Sequence, residues 1–170
     1  MMSSDVRSRY LNQTGFVIPD VRSRIKGVAV KGSNLASQVD LFATDAAPVT
    51  GTYGQAGNTI TVTKSDHGLS TGQKIGIAYS AGTGGTAMCG NTTITVVDAN
   101  TFTIPCINSF TITDSPECRY VTDGEWLLTF TLAATDIFNN YFSIPEKGIL
   151  ATKKVFASMS NLTALTVFYG

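Results

Sequence analysis

The chain has 170 residues, twelve basic against twelve acidic side chains, 14% charged residues and 43% hydrophobic ones. That balance excludes intrinsic disorder, which needs low hydrophobicity and high net charge, and no apolar run approaches the roughly 20 residues of a membrane-spanning helix. A chain with so little charge builds its surface from Thr, Ser, Asn and Gly, a composition of β-rich assembly and display proteins rather than of metabolic enzymes.

At the N-terminus, Asp5-Val6-Arg7-Ser8-Arg9 recurs as Asp20-Val21-Arg22-Ser23-Arg24. No apolar block follows the first residues, so no secretory signal is expected. Six of the twelve basic groups fall within the first 31 residues beside two acids, which leaves this stretch at +4 and the remainder at −4. Residues 1–24 are therefore predicted to form an extended basic arm. It would grip a neighbouring subunit through Arg7, Arg9, Arg22 and Arg24, with Tyr10, Phe16, Val17 and Ile18 as apolar anchors. Four arginines are few for the counterion release on which DNA binding depends, so an acidic protein surface is favoured over nucleic acid.

Beyond the arm the apolar rhythm has a period of two. Predicted strands cover 26–31, 38–43, 58–64, 74–79, 92–97, 101–104, 110–113 and 126–132. Further strands follow at 142–144, 149–150, 155–157 and 165–169. All are rich in Val, Ile, Thr and Phe and are separated by Gly, Pro, Asn or Asp. No segment holds a helical stripe over three turns; one helical turn over 135–141 competes with a loop favoured by Asn139-Asn140. The fold class is all-β, with a sandwich or jelly-roll-like outer module.

Two breaks in this rhythm, the Gly-rich 48–58 and Asp114-Ser115-Pro116-Glu117, enclose smaller and more Thr-rich strands. The expected organisation is an outer β-module of residues 25–49 plus 122–170, with a second β-module, 50–121, inserted in one of its loops.

Cys89, Cys106 and Cys118 show no CxxC spacing. Cys106 and Cys118 either pair across a hairpin or remain reduced like the third. The only histidine, His67, lies with Asp66 and Ser70 in one Gly-bounded loop, whereas a catalytic triad draws its members from separated positions. A turn is the expected role of this loop. The Gly-rich 81–86 lacks the following Lys-Ser/Thr, the preceding strand and the opening helix of a phosphate loop. Asp114, Glu117, Asp123 and Glu125 match no calcium-loop spacing. No catalytic residue, metal site or cofactor is expected.

The stretches Asn58-Thr59-Ile60-Thr61-Val62-Thr63, His67-Gly68-Leu69-Ser70-Thr71-Gly72 and Thr92 to Ile104 (TTITVVDANTFTI) resemble a small β-module widespread in virion proteins of tailed bacteriophages. Gln73 stands where that module usually carries Asp. The flanks around 24–30 and 161–170 resemble small structural proteins of marine and cyanobacterial phages. The resemblance implies a virion protein that performs no reaction and is oligomeric. Its partners would be other phage structural proteins, as capsid decoration, as a neck or tail ring (adaptor, valve or nozzle region), or as a fibre or spike base. The alternative is a module that displays Tyr53, Tyr79 and Phe102 to a host glycan.

Overall fold

The computed structural model describes residues 6–19, 22–145 and 147–170. Its described residues form fifteen strands and no helix, so the chain is all-β. They fall into two compact units: residues 1–47 together with 127–170, and Pro48–Trp126.

The first unit is a two-sheet sandwich. One sheet contains β1 (Arg7–Leu11), β15 (Ala164–Tyr169), β3 (Ser23–Lys31) and β12 (Asn139–Ser143) in that order, with β13 (Ile149–Ala151) also on β3. The second has the order β11 (Glu125–Leu132), β4 (Ser37–Ala43), β14 (Val155–Ser160) and β2 (Gly15–Ile18). Successive strands β1/β2, β3/β4 and β14/β15 each cross from one sheet to the other. Alternate residues therefore meet between the sheets, and Ile25, Val28, Val30, Leu41, Val155, Leu165 and Val167 are buried there together.

This places the N-terminal segment differently from the extended arm expected over 1–24. Residues 7–18 are β1 and β2, one in each sheet, because Phe16-Val17-Ile18 offers apolar surface that the sandwich core can bury. Val17 and Ile18 are fully buried, and the Phe16 ring stands edge-on to Phe156 with centroids 5.1 Å apart. Residues 1–5, 20 and 21 of the expected arm lie outside the described residues. The two pentapeptide repeats also acquire a structural meaning. Described residues of the first copy pair with β15 on one side, Arg7 opposite Tyr169. On the other side, the second copy exchanges hydrogen bonds between Arg24 and Gly170 (2.9 and 3.1 Å).

Asn139 and Asn140 are neither helix nor loop but open the edge strand β12, paired to Lys31 and Val30. The Asp40 carboxylate, buried in β4, accepts hydrogen bonds from Gln38 Nε2 (2.8 Å) and Thr129 Oγ1 (2.7 Å), which offsets its desolvation.

The second unit is one sheet with strand order β7 (Gly90–Thr93), β6 (Lys74–Tyr79), β10 (Glu117–Val121), β5 (Val49–Thr63), β9 (Thr101–Ile112), β8 (Thr95–Asp98). Its two outermost strands are consecutive in the chain, separated by Ile94 alone, so the sheet curls to bring them together. Ile94 extends the β6–β7 pairing by donating to Gln73 O (3.1 Å) and accepting from Gly72 N (2.9 Å).

The Gly-rich 48–58, expected as a break, is the first part of the fifteen-residue β5. Gly51, Tyr53 and Gln55 are buried before a register shift at 57–59, and Ile60 and Val62 after it. A bulge there changes the phase of alternation. Gln55 Nε2 holds it by donating to Gly57 O (2.9 Å) and Asn108 O (2.6 Å). The interior contains Tyr53, Tyr79 and Phe102. All three are buried, so they cannot form the glycan-facing surface expected of them. Their rings pack within the core, Tyr53 on Tyr79 and Phe102 on Tyr120.

Two predictions follow from this interior. A Cβ on Gly76 would overlap the main chain of Glu125 and Trp126. Gly76→Ala is therefore expected to destabilise the second unit by about 1–3 kcal/mol, as measured by urea unfolding followed by fluorescence of Trp126, the single tryptophan.

Burial also pushes the Cys118 thiol from 9.0 up to about 12 and the Tyr120 phenol from 10.0 up to about 12. An unfolded chain releases these protons first, so between the two values it binds fewer protons than the native state and stability falls as pH rises. The urea midpoint should hold steady below pH 9 and decline above it, and Cys118→Ala should flatten part of that decline. A midpoint that rises with pH over this window would contradict the burial of these groups.

Candidate functional site

Two surfaces stand out, one on each unit. The first is the outward face of the sheet that carries β15. Across four strands, Tyr10 lies opposite Thr166, Thr166 opposite Ala29, and Ala29 opposite Tyr141. In the adjoining row Ser8, Phe168, Gly27 and Ser143 are aligned in the same way. Large aromatic groups thus alternate with small ones, and the small positions give the rings room to lie down. A Cβ on Gly27 would come 2.8 Å from Tyr141 Oη. The absence of that atom lets the ring rest over the strand, edge to face with Phe168 at 5.6 Å. Tyr10 and Tyr141 remain 62% and 61% exposed.

Cations surround these rings. Lys31 shares a row with Ala164 and Asn139, while Arg24 Nη1 and Lys26 Nζ both donate to Lys147 O (3.5 and 3.0 Å). No Asp or Glu occupies an outward strand position on this face. The first unit as a whole has nine basic and six acidic side chains, net +3; the second has three and six, net −3.

Of the eight residues expected to grip a neighbour, Val17 and Ile18 are in the core and the other six are dispersed. Tyr10 and Arg24 belong to the outward face. Arg7 and Arg9 sit opposite the core residues Tyr169 and Val167, hence on the inward side of β1, where they are exposed at the sheet margin. Inward charges of this kind on an edge strand discourage a further strand from pairing there. Arg22 is an exposed turn residue with φ 60°. Phe16 belongs to the other sheet, with Lys154 Nζ 5.9 Å above its ring. Lys26 and Lys31 count among the basic groups of the first 31 residues but fall outside the expected docking set, and Tyr141 and Phe168 are not singled out for docking by the sequence. The one signal for Phe168 was its out-of-phase place between buried Val167 and Tyr169.

The second surface lies around His67. Its Nδ1 accepts from Leu69 N (3.0 Å), which leaves the proton on Nε2 to be donated to Asp98 O (2.9 Å). The ring edge meets Phe102 at 5.3 Å. Around it Asp66 N donates to Asn100 Oδ1 (3.0 Å), His67 N to Ala99 O (3.2 Å) and Asn100 N to Asp98 Oδ1 (2.8 Å). The His-Gly-Leu and Asp-Ala-Asn stretches, thirty residues apart in sequence, are thus joined into one knot. Gln73 Oε1 accepts from Ser70 N (3.2 Å), an acceptor role that a carboxylate at this position would fill equally well. With both ring nitrogens committed to main-chain partners, His67 is a cross-brace. Beside it Leu69, Val96 and Ala99, together with Asp66 and Asp98, line an open groove of about 270 Å³.

The remaining loops have local duties. Asp114 Oδ2 accepts from Thr83 N and Oγ1 (2.8 and 2.9 Å), tying down the Gly-rich turn and holding its own carboxyl below the usual range. Glu117 pairs with Arg119. The three cysteines are free. Cys89 and Cys106 border an apolar cavity of about 180 Å³ that also has Tyr79 and Ile104 in its wall.

No family model matches the chain, and no curated protein matches it. Among solved structures it is similar to phage phi92 endosialidase, with 19% identity and a TM-score of 0.33 over 81% of this chain and 20% of that one. The chain thus spans about a fifth of the length of that protein.

His67→Ala removes two hydrogen bonds and a ring contact at once. It should destabilise the second unit by about 1–3 kcal/mol and raise hydrogen exchange at the Leu69 amide, read by exchange mass spectrometry. Unchanged exchange there would show that the brace is dispensable.

Proposed function

We propose that this chain is a structural component of a tailed-phage virion that attaches to other virion subunits and performs no reaction. The observation that carries this reading is the outward sheet face of the first unit. It is a surface of exposed Tyr10 and Tyr141 and half-buried Phe168 among Arg24, Lys26 and Lys31, without a carboxylate at its strand positions. Aromatic side chains supply contact area at low entropic cost, and basic side chains without acids at the neighbouring strand positions favour an acidic partner surface. An exposed sheet face suits contact with a protein surface more than capture of a small molecule, which calls for a concave pocket.

The resemblance of the His-Gly-Leu and Asp-Ala-Asn stretches to the phage module supports the virion setting. Within that setting capsid decoration is preferred to a neck or tail ring. A protein repeated over a shell gains firm attachment from many modest contacts, and a sheet face lies readily against such a surface. The predicted docking set is revised accordingly. Attachment runs through the face of β1, β15, β3 and β12 rather than through a free arm.

The test uses particles of the parent phage assembled without this chain, to which purified protein is added back. Wild-type protein should restore full occupancy. Tyr10→Ala/Tyr141→Ala and Lys26→Glu/Lys31→Glu should each lower the apparent affinity by about tenfold or more, with circular dichroism unchanged. Full occupancy by both variants would overturn the reading, as would failure of the wild-type protein to bind any particle.

A further inference from the structure

The outward sheet face of one copy and the His67 groove of another are complementary, and we infer that this chain self-associates head to tail through them. The inference rests on the reading of the sheet face as an assembly surface and names its partner there as a second copy of the chain.

Three observations carry it. First, the charge is divided between the two units, net +3 on the one with the sheet face and net −3 on the one with the groove. Second, the division is local as well as global. Lys26 and Lys31 on the face, and Asp66 and Asp98 in the groove, join no ion pair among the described residues. Among the described residues each pair of charges thus has an opposite charge to gain from the other pair. Third, the shapes match in kind. The face presents protruding, mostly exposed tyrosines at 10 and 141. The groove of about 270 Å³ is lined by Leu69, Val96 and Ala99 together with Asp66 and Asp98, so it offers apolar surface to an aromatic side chain and carboxylates to a cation.

The two surfaces are different parts of the molecule, so their contact is heterologous. Used reciprocally by two copies, such a contact gives a dimer; repeated in one direction, it gives a ring when the rotation closes and a filament when it does not. Among other occupants, an acidic glycan or nucleic acid would match the charge of the face but has no use for the apolar, carboxylate-lined groove. Self-association uses both surfaces.

The experiment is sedimentation velocity on the full chain over about 1–100 µM, at low salt and at about 0.5 M NaCl, where the Debye length falls to a few ångströms. Concentration-dependent oligomers are expected at low salt, weakened about tenfold or more by high salt. Asp66→Lys/Asp98→Lys and Lys26→Glu/Lys31→Glu should each be monomeric alone, since like charges then face each other. Mixed in equal amounts they should associate again, because the reversed face of one fits the reversed groove of the other. Tyr10→Ala/Tyr141→Ala should weaken association at either salt.

A wild-type chain that stays monomeric throughout overturns the inference, as do oligomers that neither charge reversal weakens, or a mixture that stays monomeric. A monomer retained on a heparin column also overturns it and gives the face to a polyanion. If the monomeric protein still fills phage particles, the virion reading survives and only the identity of the partner falls.

Discussion

Main-chain pairing of β15 on both of its edges is the constraint on which the first unit depends. β15 lies between β1 and β3, and each neighbour brings a copy of the same basic pentapeptide to its C-terminal end. Its inward residues Leu165, Val167 and Tyr169 belong to the core, while Thr166 and Phe168 belong to the exposed face. A single six-residue strand thus supplies both the burial that holds the sandwich together and an aromatic group of the surface through which assembly is proposed. It also explains why the N-terminal segment is not a free arm. Once β1 completes the edge of the sheet, three residues of connection bring Gly15–Ile18 to the opposite sheet, where Val17 and Ile18 leave water.

In the second unit the outermost strands β7 and β8 follow one another in the chain with Ile94 between them, and the bulge at 57–59 re-phases β5 so that both of its halves face the same interior. The His67 knot secures the neighbouring loops with main-chain hydrogen bonds rather than with apolar burial. That economy suits a unit whose buried centre is already occupied by four aromatic rings, Tyr53, Tyr79, Phe102 and Tyr120. Histidine is the side chain that can accept from one main-chain amide and donate to a second main-chain carbonyl while its ring edge packs on an aromatic neighbour.

Charge separation connects the two units to the proposed role. A chain of zero net charge carries little long-range electrostatic field as a whole, yet its halves differ by six charges. Such a division contributes little to fold stability, because exposed ion pairs are weak. It matters for association, where complementary potentials set orientation and reject wrong partners.

Read by itself, the sequence determined that the chain is β-rich, because a period of two is a local property visible in segments such as 58–64 and 165–169. It also marked His67-Gly68 as a turn and separated two composition zones. What it could not determine was which strands pair. Glycine-rich 48–58 became strand because β10 and β9 supply hydrogen-bonding partners from sixty residues away, and Phe16-Val17-Ile18 was drawn into the core because β14 offers it an edge. Tyr53, Tyr79 and Phe102 read as candidates for display, and only the curl of the sheet turned them inward. The exposed face likewise needed the tertiary structure, since Tyr10, Tyr141 and Phe168 come from three distant segments and become neighbours through register alone. Alternation is written residue by residue, whereas register is a long-range choice made by the burial of whole sheets.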